Sequence, residues 1–482
     1  MTKKRRAKSN KKKVIVKKQI TTTIVNNNEN KIKNTLTIIV FLDTLVSGSL
    51  WAVLPTVLDA SSNASLYGII LSVASAVGLL SSTILGRLSD LIGRTWSFRI
   101  ALLLIFICPF SIYLGNAIFD NLKYLIFGGA LFSRIQAARS IAKAYASDLS
   151  SDDDRTTVLA IQASWMGAGF VIGPSFGGYL AEIDSEGKTA LAISSIITFT
   201  NVMLSILFLN DNYANHLAKN KNSNNRKNNV KKNEKPNHAT TKKNTEDTFQ
   251  QASNSNNNNN LELLYENILK PEIFLLILIQ FSLSFGFQSF TSSFPQYCKQ
   301  RFGFGPARFG NVLSYCGCLW TITQGFIIPQ LKNIMDENKK KNNKSNMSEE
   351  NLLIMGVGCI FIGRLILAFA YVWPFLLLGE LFVVGGAATG FTLLTSKISQ
   401  LVDPSIVGTI LGLLTSIESG CGIIAPPIGG YIFDLYGDFG PALVAAGSTL
   451  FGLILLLFFD GGSGGGGGGN GGENRGKKKK RE

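Results

Sequence analysis

The chain has 482 residues, of which 46% are hydrophobic and only 16% are charged, and its mean hydropathy is +0.22. Its apolar surface is too continuous for a soluble globule and predicts a polytopic membrane protein. The net charge of +16 would suit a nucleic-acid-binding protein, but the Lys and Arg residues lie in flanks and loops between apolar runs rather than on one folded domain, which argues against that class.

Residues 1–33 are strongly basic, and we expect them to form a disordered tail rather than a cleaved signal. Six apolar runs follow, each of about twenty residues, the length that a helix needs to cross a bilayer. They lie near residues 35–58, 66–86, 97–116, 122–146, 156–181 and 189–209. These runs predict a six-helix bundle over residues 34–209.

A hydrophilic break separates this bundle from a second one. Residues 210–268 are rich in Asn and Lys and carry too few large apolar residues to bury a core, which predicts a disordered linker. Six more apolar runs lie near residues 272–297, 307–330, 352–371, 374–398, 405–432 and 440–459. They predict a bundle over residues 269–460, followed by a Gly-rich basic tail at 461–482.

The positions of Lys and Arg predict the orientation. Arg87, Arg94, Arg99, the basic residues of 332–344, the linker and both tails fall on one side of the predicted helices, and most loops of the other side are acidic. The positive-inside rule therefore predicts cytosolic termini. The sequence does not distinguish a plasma membrane from an endolysosomal or vesicular one.

The chain shows no pattern of an enzyme or a metal protein. Its six cysteines have neither disulfide-ladder spacing nor metal-ligand pairing with His, and it has no Walker-type phosphate loop and no visible catalytic constellation. We therefore expect no disulfide framework, no metal, no cofactor, no catalysis and no ATP-driven pump.

One Gly/Pro-interrupted element occurs in both halves. Pro174, Gly177 and Gly178 recur 252 residues later as Pro426, Gly429 and Gly430, each time followed by Tyr. Paired interrupted segments at matching positions of two halves point to the central site of a secondary transporter. Proline interrupts the helix ladder and glycine admits a close neighbour, so we expect this element to bend and to be packed against. The alternative is two Gly-rich helices that are alike by chance.

A short loop between the second and third predicted helices carries clustered charges. It places Gly86, Asp90, Gly93 and Arg94 in a tight turn, with glycines where helix ends must approach closely. Such a cluster predicts an ionic latch, in which the Asp90 carboxylate holds Arg94 or the start of a helix of the second half.

This loop, Gly86 to Arg94, resembles the G-x-L-[AS]-D-x-x-G-R signature of the major facilitator superfamily. The segment Gly169 to Gly178, with Gly169, Gly173, Pro174, Gly177 and Gly178, matches that superfamily's antiporter motif at every fixed position. Asp43 followed by Pro55 is similar to helix one of its tetracycline-efflux-like and vesicular-amine-like proton antiporters. The resemblance implies an all-α membrane protein of twelve transmembrane helices in two pseudo-symmetric six-helix bundles.

The chain also departs from that family. Its fourth helix keeps an arginine, Arg134, but lacks the Gln and Gly that normally follow it in R-x-x-Q-G. Its ninth helix offers Arg364 where the tetracycline exporters carry an acid, so tetracycline itself is a poor substrate prediction.

Charged residues inside predicted helices need a separate explanation, because a charge at the bilayer centre costs about 2.5–3.5 kcal/mol on insertion scales. Asp43 and Glu418 fall near mid-depth, Glu380 in the outer third of its helix, and Arg134 and Arg364 near the middles of theirs. These five are our candidates for transport and proton coupling. The alternative is that they form static Arg-to-acid pairs that hold helices together.

Lesser roles are predicted for other polar residues. Gln280, Ser284 and Gln288 form a polar stripe on the seventh helix, which predicts either a face towards substrate or interhelical hydrogen bonds. We expect Arg139 to snorkel towards the inner surface and Asp148 to lie on a loop surface.

We conclude from the sequence that the chain is a transporter working by alternating access, with proton-coupled antiport or efflux of small organic solutes, cationic or amphipathic. Its partners would be the solute, protons and the lipid bilayer, but no nucleic acid, and it would act as a monomer. Two alternatives stay open: a facilitator or symporter on the same fold, and a membrane sensor or scaffold that does not transport.

Overall fold

The structure is a computed structural model that describes residues 2–58, 63–117, 137–150, 155–184, 186–209, 270–331, 333–334, 349–402 and 406–463. These ranges contain helices and short connections and no strand. We call the end of the bundle near residues 30 and 92 its inner end, and the end near residues 58 and 63 its outer end.

Twelve α-helices lie in the described ranges, each overlapping one predicted run. They are α1 Thr2–Val57, α2 Ala64–Ile92, α3 Arg94–Ala117, α4 Ala137–Asp148, α5 Arg155–Ile183, α6 Lys188–Phe208, α7 Pro271–Phe302, α8 Pro306–Ile322, α9 Glu349–Ala368, α10 Trp373–Leu401, α11 Val407–Tyr436 and α12 Gly440–Ser463. Within these ranges 11 helices are long and apolar enough to cross a membrane. The twelfth, α4, is described only from residue 137 onwards, since its first part lies outside the described residues.

The first helix differs from the expected boundary at residue 33. Its backbone is helical from Thr2, where we expected a disordered tail. The physical reason is that neither Gly nor Pro occurs before Gly48, so nothing in the segment forces the helix to break. Only Asn30–Val57 has the hydropathy of a membrane span.

The buried residues form separate clusters that follow the two halves. Near the inner end of the first half, α1, α3, α4 and α6 pack around Leu36, Phe98 and Tyr145. The matching cluster of the second half joins α7, α9, α10 and α11 around Leu276, Val357 and others. A further cluster at the outer end includes residues of both halves, among them Ala52 and Ala64 of the first. The two bundles therefore share a core at their outer ends.

Two seams join the halves, one between α5 and α8 and one between α2 and α11, and both depend on glycine. A Cβ at Gly178 would collide with the carbonyl oxygen of Pro306, and one at Gly310 with that of Pro174. The second seam repeats this pattern, because a Cβ at Gly430 would collide with the carbonyl oxygen of Ala64. Likewise, one at Gly68 would collide with that of Pro426.

These seams give the repeated element a structural counterpart. Gly178 and Gly430, which correspond in the sequence repeat, each touch the first residues of a helix in the opposite half. The residues before them, Gly177 and Gly429, instead face Ser49 and Ser289 of their own halves. The helices α5 and α11 are therefore the elements that hold each bundle together and also join it to the other.

Exposed aromatic residues surround part of the outer end. Phe369, Tyr371, Trp373 and Phe375 are 65%, 77%, 56% and 54% exposed where α9 turns into α10. Amphipathic rings concentrate at the membrane–water interface. This turn therefore lies at the level of the outer lipid headgroups.

The glycine contacts predict unequal effects of one substitution at two positions of α11. Gly429→Ala would place a methyl group against the carbonyl oxygen of Ser289 and should lower stability by about 1–3 kcal/mol, as overpacking does. At Gly420 a Cβ meets nothing within 4 Å, so Gly420→Ala should leave stability unchanged or raise it. Thermal unfolding of the two detergent-solubilised variants measures the difference, and equal melting temperatures would contradict the packing described here.

Candidate transport site

A cavity lies between the halves, lined by residues of α1, α2, α7, α8 and α11. The empty space between its walls amounts to about 670 Å³ when the open solvent at its mouth is included. Its wall combines aromatic and aliphatic side chains such as Trp51 and Tyr67 with hydroxyl and amide groups such as Ser47 and Gln288. None of the described residues that line it is charged.

Asp43 on α1 forms a buried ion pair next to this cavity. Its carboxylate is almost fully buried, and Arg139 of α4 donates from Nε to Asp43 Oδ2 at 2.8 Å. A second nitrogen of Arg139 donates to the hydroxyl of Ser47, which lines the cavity one turn further out on α1. The three side chains therefore connect a buried carboxylate to the cavity wall.

We expected Arg139 to snorkel towards the inner surface, but it does not. It is the main functional candidate that sequence reasoning missed. It faces α1, because a buried carboxylate requires a cationic partner in a region without water. The signal was present in the predicted depths of the two residues. Asp43 lies eight residues from the inner end predicted for helix one. Arg139 lies seven residues from the inner end predicted for helix four. Arg134, our candidate on that helix, lies outside the described residues.

The antiporter motif fixes the depth of Asp43. A Cβ at Gly169 would lie 2.7 Å from the carbonyl oxygen of Phe41, and one at Gly173 would collide with that of Leu45. These carbonyl groups flank Asp43 on α1. The close approach of α5 therefore packs against the turn of helix that carries the acid.

Glu418 occupies a different setting. It is exposed on α11, and Gln280 of α7 donates from Nε2 to Glu418 Oε1 at 2.9 Å. Gln280 precedes the cavity-lining Gln288 by eight residues, or about 12 Å of helix. The Glu418 carboxylate therefore lies on the inner side of the cavity, on an exposed part of α11.

The predicted polar stripe of α7 divides between its two interpretations. Gln288 lines the cavity, whereas Gln280 makes an interhelical hydrogen bond. Ser284 does neither within the described part of the chain, since its buried hydroxyl has no partner there. Thr291 and Ser292 of the same helix extend the cavity face.

Glu380 and Arg364 lie away from the cavity, buried inside the second bundle. No nitrogen of Arg364 is within 4.0 Å of an acidic oxygen of the described residues, but the opposite charges of Arg364 and Glu380 attract each other inside the bundle, so the static pair that we considered stays a prediction. The thiol of Cys316 instead donates to Glu380 Oε2 at 3.6 Å. The Arg364 guanidinium lies 4.3 Å from the centre of the Phe290 ring, an attractive cation–π arrangement.

The gating loop makes a contact that we did not expect. Gly93 adopts φ 98°, a conformation that favours glycine, and α3 begins at the next residue. Arg94 Nε then pairs with Asp148 Oδ2 at 3.0 Å, so Asp148 ends α4 as a partner of the loop rather than as free loop surface. The side chain of Asp90 lies outside the described residues, and its latch role stays a prediction. A Cβ at Gly86 would meet nothing within 4 Å, so the expected close approach is absent there.

The buried pair predicts that removing only one partner lowers the stability of the protein more than removing both. Arg139→Gln leaves an ionised, desolvated Asp43 and should destabilise the protein by about 1–3 kcal/mol. The double variant Asp43→Asn/Arg139→Gln should recover much of that loss, because no unpaired charge is left. Thermal unfolding tests this, with Lys143→Gln, an exposed cation of the same helix, as the matched control. A double variant that is less stable than Arg139→Gln would show that the pair has no such coupling.

Comparisons with known proteins agree with this architecture. The model of the Major Facilitator Superfamily matches residues 36–341, well over half of the chain. The class H tetracycline resistance protein of Pasteurella multocida is 22% identical over 438 residues, which cover 88% of this chain and 95% of that protein.

Solved structures show the same fold. The human organic anion transporter MFSD10 (TETRAN) superposes with a TM-score of 0.54 at 18% identity, over 89% of this chain and 99% of its own. A D-xylose-proton symporter reaches a TM-score of 0.62 at 14% identity, over 88% of this chain and 96% of its own. With twelve helices in two bundles, a cavity between them and a family match that covers the first bundle and the start of the second, the chain belongs to the Major Facilitator Superfamily.

Proposed function

We propose that this membrane transporter exports small organic solutes, cationic or amphipathic, in exchange for protons by alternating access. The family is one of transporters, so the chain carries solutes and is not an enzyme. The observation that carries the proton exchange is the buried Asp43–Arg139 pair, which reaches the cavity through Ser47.

The first step concerns Asp43. While it is ionised, its carboxylate holds Arg139 by a charge-assisted hydrogen bond, which is stronger than a neutral one. A proton on Asp43 removes that charge and frees Arg139 and Ser47 to rearrange at the cavity wall. One protonation therefore changes the surface that a solute meets.

The second step concerns Glu418, the exposed acid on the inner side of the cavity. Ionised, it attracts a cation that enters from the inner end; protonated, it does not. Because one carboxylate cannot hold both partners, a proton and a cationic solute exclude each other there. That exclusion is the simplest physical basis for exchange.

The relatives limit the choice of solute. The Pasteurella relative is named for tetracycline resistance, which favours export of a drug-like molecule. Tetracycline itself is not proposed, since α9 carries Arg364 where tetracycline exporters have an acid. The human neighbour is named an organic anion transporter, so the fold alone does not select cations. Our choice of a cation therefore rests on Glu418.

One observation favours a second candidate function. The described lining of the cavity is uncharged, which suits a neutral solute carried by a symporter or facilitator. The D-xylose-proton symporter has the same fold and is named for such a solute. The two candidates differ in whether flux requires the Glu418 carboxylate.

The orientation is part of the proposal. The basic residues of the loops and tails support cytosolic termini, with residues 210–268 as a cytosolic linker between bundles at 34–209 and 269–460. In that orientation the inner end is cytosolic, and Glu418 receives solute from the cytosol. Nothing in the proposed cycle requires a second copy of the chain.

Glu418→Gln tests the exchange. The amide keeps hydrogen bonding to Gln280 but carries no proton, so accumulation driven by a pH gradient should be abolished. Solute-for-solute exchange should persist in part, because it needs no net proton movement. The measurement is uptake of a panel of organic monocations and uncharged analogues into sealed proteoliposomes, with orientation scored by protease cleavage of the linker.

Glu272→Gln is the matched control, because Glu272 is also an exposed acid near the inner end of the second half. It should transport normally. Normal pH-driven accumulation of a cation by Glu418→Gln would remove Glu418 from the coupling and leave Asp43 as the candidate. If only uncharged solutes are transported, the result would favour the symporter or facilitator. If no solute is transported at all, it would favour a sensor or scaffold.

A further inference from the structure

The outer end of α2 is held by a residue of the opposite half. Asp434, near the end of α11, accepts hydrogen bonds from the backbone N–H of Ala64 at 3.2 Å and of Ser65 at 3.0 Å. The hydroxyl of Ser65 donates to the same carboxylate. These residues are the first two of α2, and Asn63, the N-cap residue before them, accepts a hydrogen bond from Leu66 N–H at 2.8 Å.

The chemistry of this contact is that of a helix cap. The first N–H groups of a helix have no partner within the helix, and the positive end of its dipole attracts a carboxylate. Here the donors belong to the first bundle and the carboxylate to the second. The bonds therefore exist only while the outer ends of the two bundles are together, and the carboxylate must release α2 before they separate.

The other seam lacks an equivalent. By the 252-residue repeat, Asp434 corresponds to Glu182 at the end of α5, which lies beside Gly305 at the start of α8. The first residue of α8 is Pro306, which has no N–H to donate. Within the described residues Glu182 accepts no hydrogen bond. The position of the repeat that corresponds to Asp434 therefore carries an acid that does not cap a helix.

The α5–α8 seam uses neutral groups instead. The Ser175 hydroxyl donates to Asn311 Oδ1 at 2.8 Å, and Ser175 N–H donates to Ser314 Oγ at 3.1 Å. Charge-assisted bonds are stronger and more dependent on their partner's charge than such neutral ones. Of the two seams, the α2–α11 seam therefore has a contact that a single charge controls.

We propose that Asp434 is the outer latch of the transport cycle, a positioning residue that stabilises the outer-closed state by capping α2 across the interface. Its release sets how often the cavity opens to the outer side. This goes beyond the proposed proton exchange, because it assigns a gating step to a residue outside the cavity and holds whatever the solute or coupling ion is.

The test is Asp434→Asn, which removes the charge at nearly constant volume. Two single reporter cysteines are introduced separately, Tyr67→Cys in the outer part of the cavity wall and Ser164→Cys on the exposed inner part of α5. Each is labelled with a membrane-impermeant maleimide, and labelling of the parent chain without the reporter is subtracted. In Asp434→Asn the outer reporter should react about 2- to 5-fold faster, the range for a carboxylate at a helix N-terminus, and the inner reporter should react more slowly.

Two further variants make the result specific. Glu182→Gln is the matched control at the corresponding position of the repeat and should change neither rate. Ser65→Ala removes one of the three bonds and keeps the carboxylate, so it should shift both rates in the same directions as Asp434→Asn by a smaller factor, even if Asp434→Asn folds poorly.

Three outcomes would overturn the proposal. Unchanged rates in both Asp434→Asn and Ser65→Ala would show that the contact does not bias the gate. Faster reaction of both reporters would indicate general loosening rather than gating. An equal effect of Glu182→Gln would show that any acid at this end acts in the same way, so that capping of α2 is not the cause.

Discussion

The structure depends on glycines at which two helix backbones come so close together that a single Cβ atom would not fit between them. In a membrane, lipid chains are as apolar as the side chains, so burial does little to drive helices together and close packing becomes decisive. At Gly178 and Gly430 that packing crosses between the halves, and at Gly177 and Gly429 it holds each half together. Rigid bundles joined by glycine-lined seams can rock against each other, and opening of the outer end then separates the cluster of buried residues that the two halves share there.

The charges are arranged around this framework in two different ways. Asp43 is buried, and its charge is balanced by Arg139 on a neighbouring helix. Glu418 is exposed beyond the cavity, where Gln280 donates a hydrogen bond to its carboxylate. A change of charge at Asp43 therefore alters contacts between α1 and α4, whereas in the proposed cycle a change at Glu418 alters what the cavity attracts. Glu380 and Arg364, which have no access to the cavity in this conformation, are better placed to stabilise the second bundle.

Much of the fold could be predicted from the sequence, because helix length and the Gly/Pro repeat are local signals. The partners of the charged residues could not. The sequence predicts that Arg139 and Asp148 lie at the surface, whereas both form ion pairs, because the rotation of a helix about its axis decides which face meets a neighbour. Matching residues by depth would have found Asp43 with Arg139. It would not have found Asp434, whose partners are backbone N–H groups that no side-chain pattern marks.

The central claim is that the two bundles rock about these seams to open the cavity on one side at a time. It is tested most directly by spin-label distances, with one pair at the outer end, at Ile183 of α5 and Arg308 of α8, and one at the inner end, at Ile161 and Phe326. All four side chains are exposed. Under a proton gradient with transported solute, the account predicts that the outer distance lengthens as the inner distance shortens. Distances that stay constant in a transporting sample, or that change in the same direction, would contradict it.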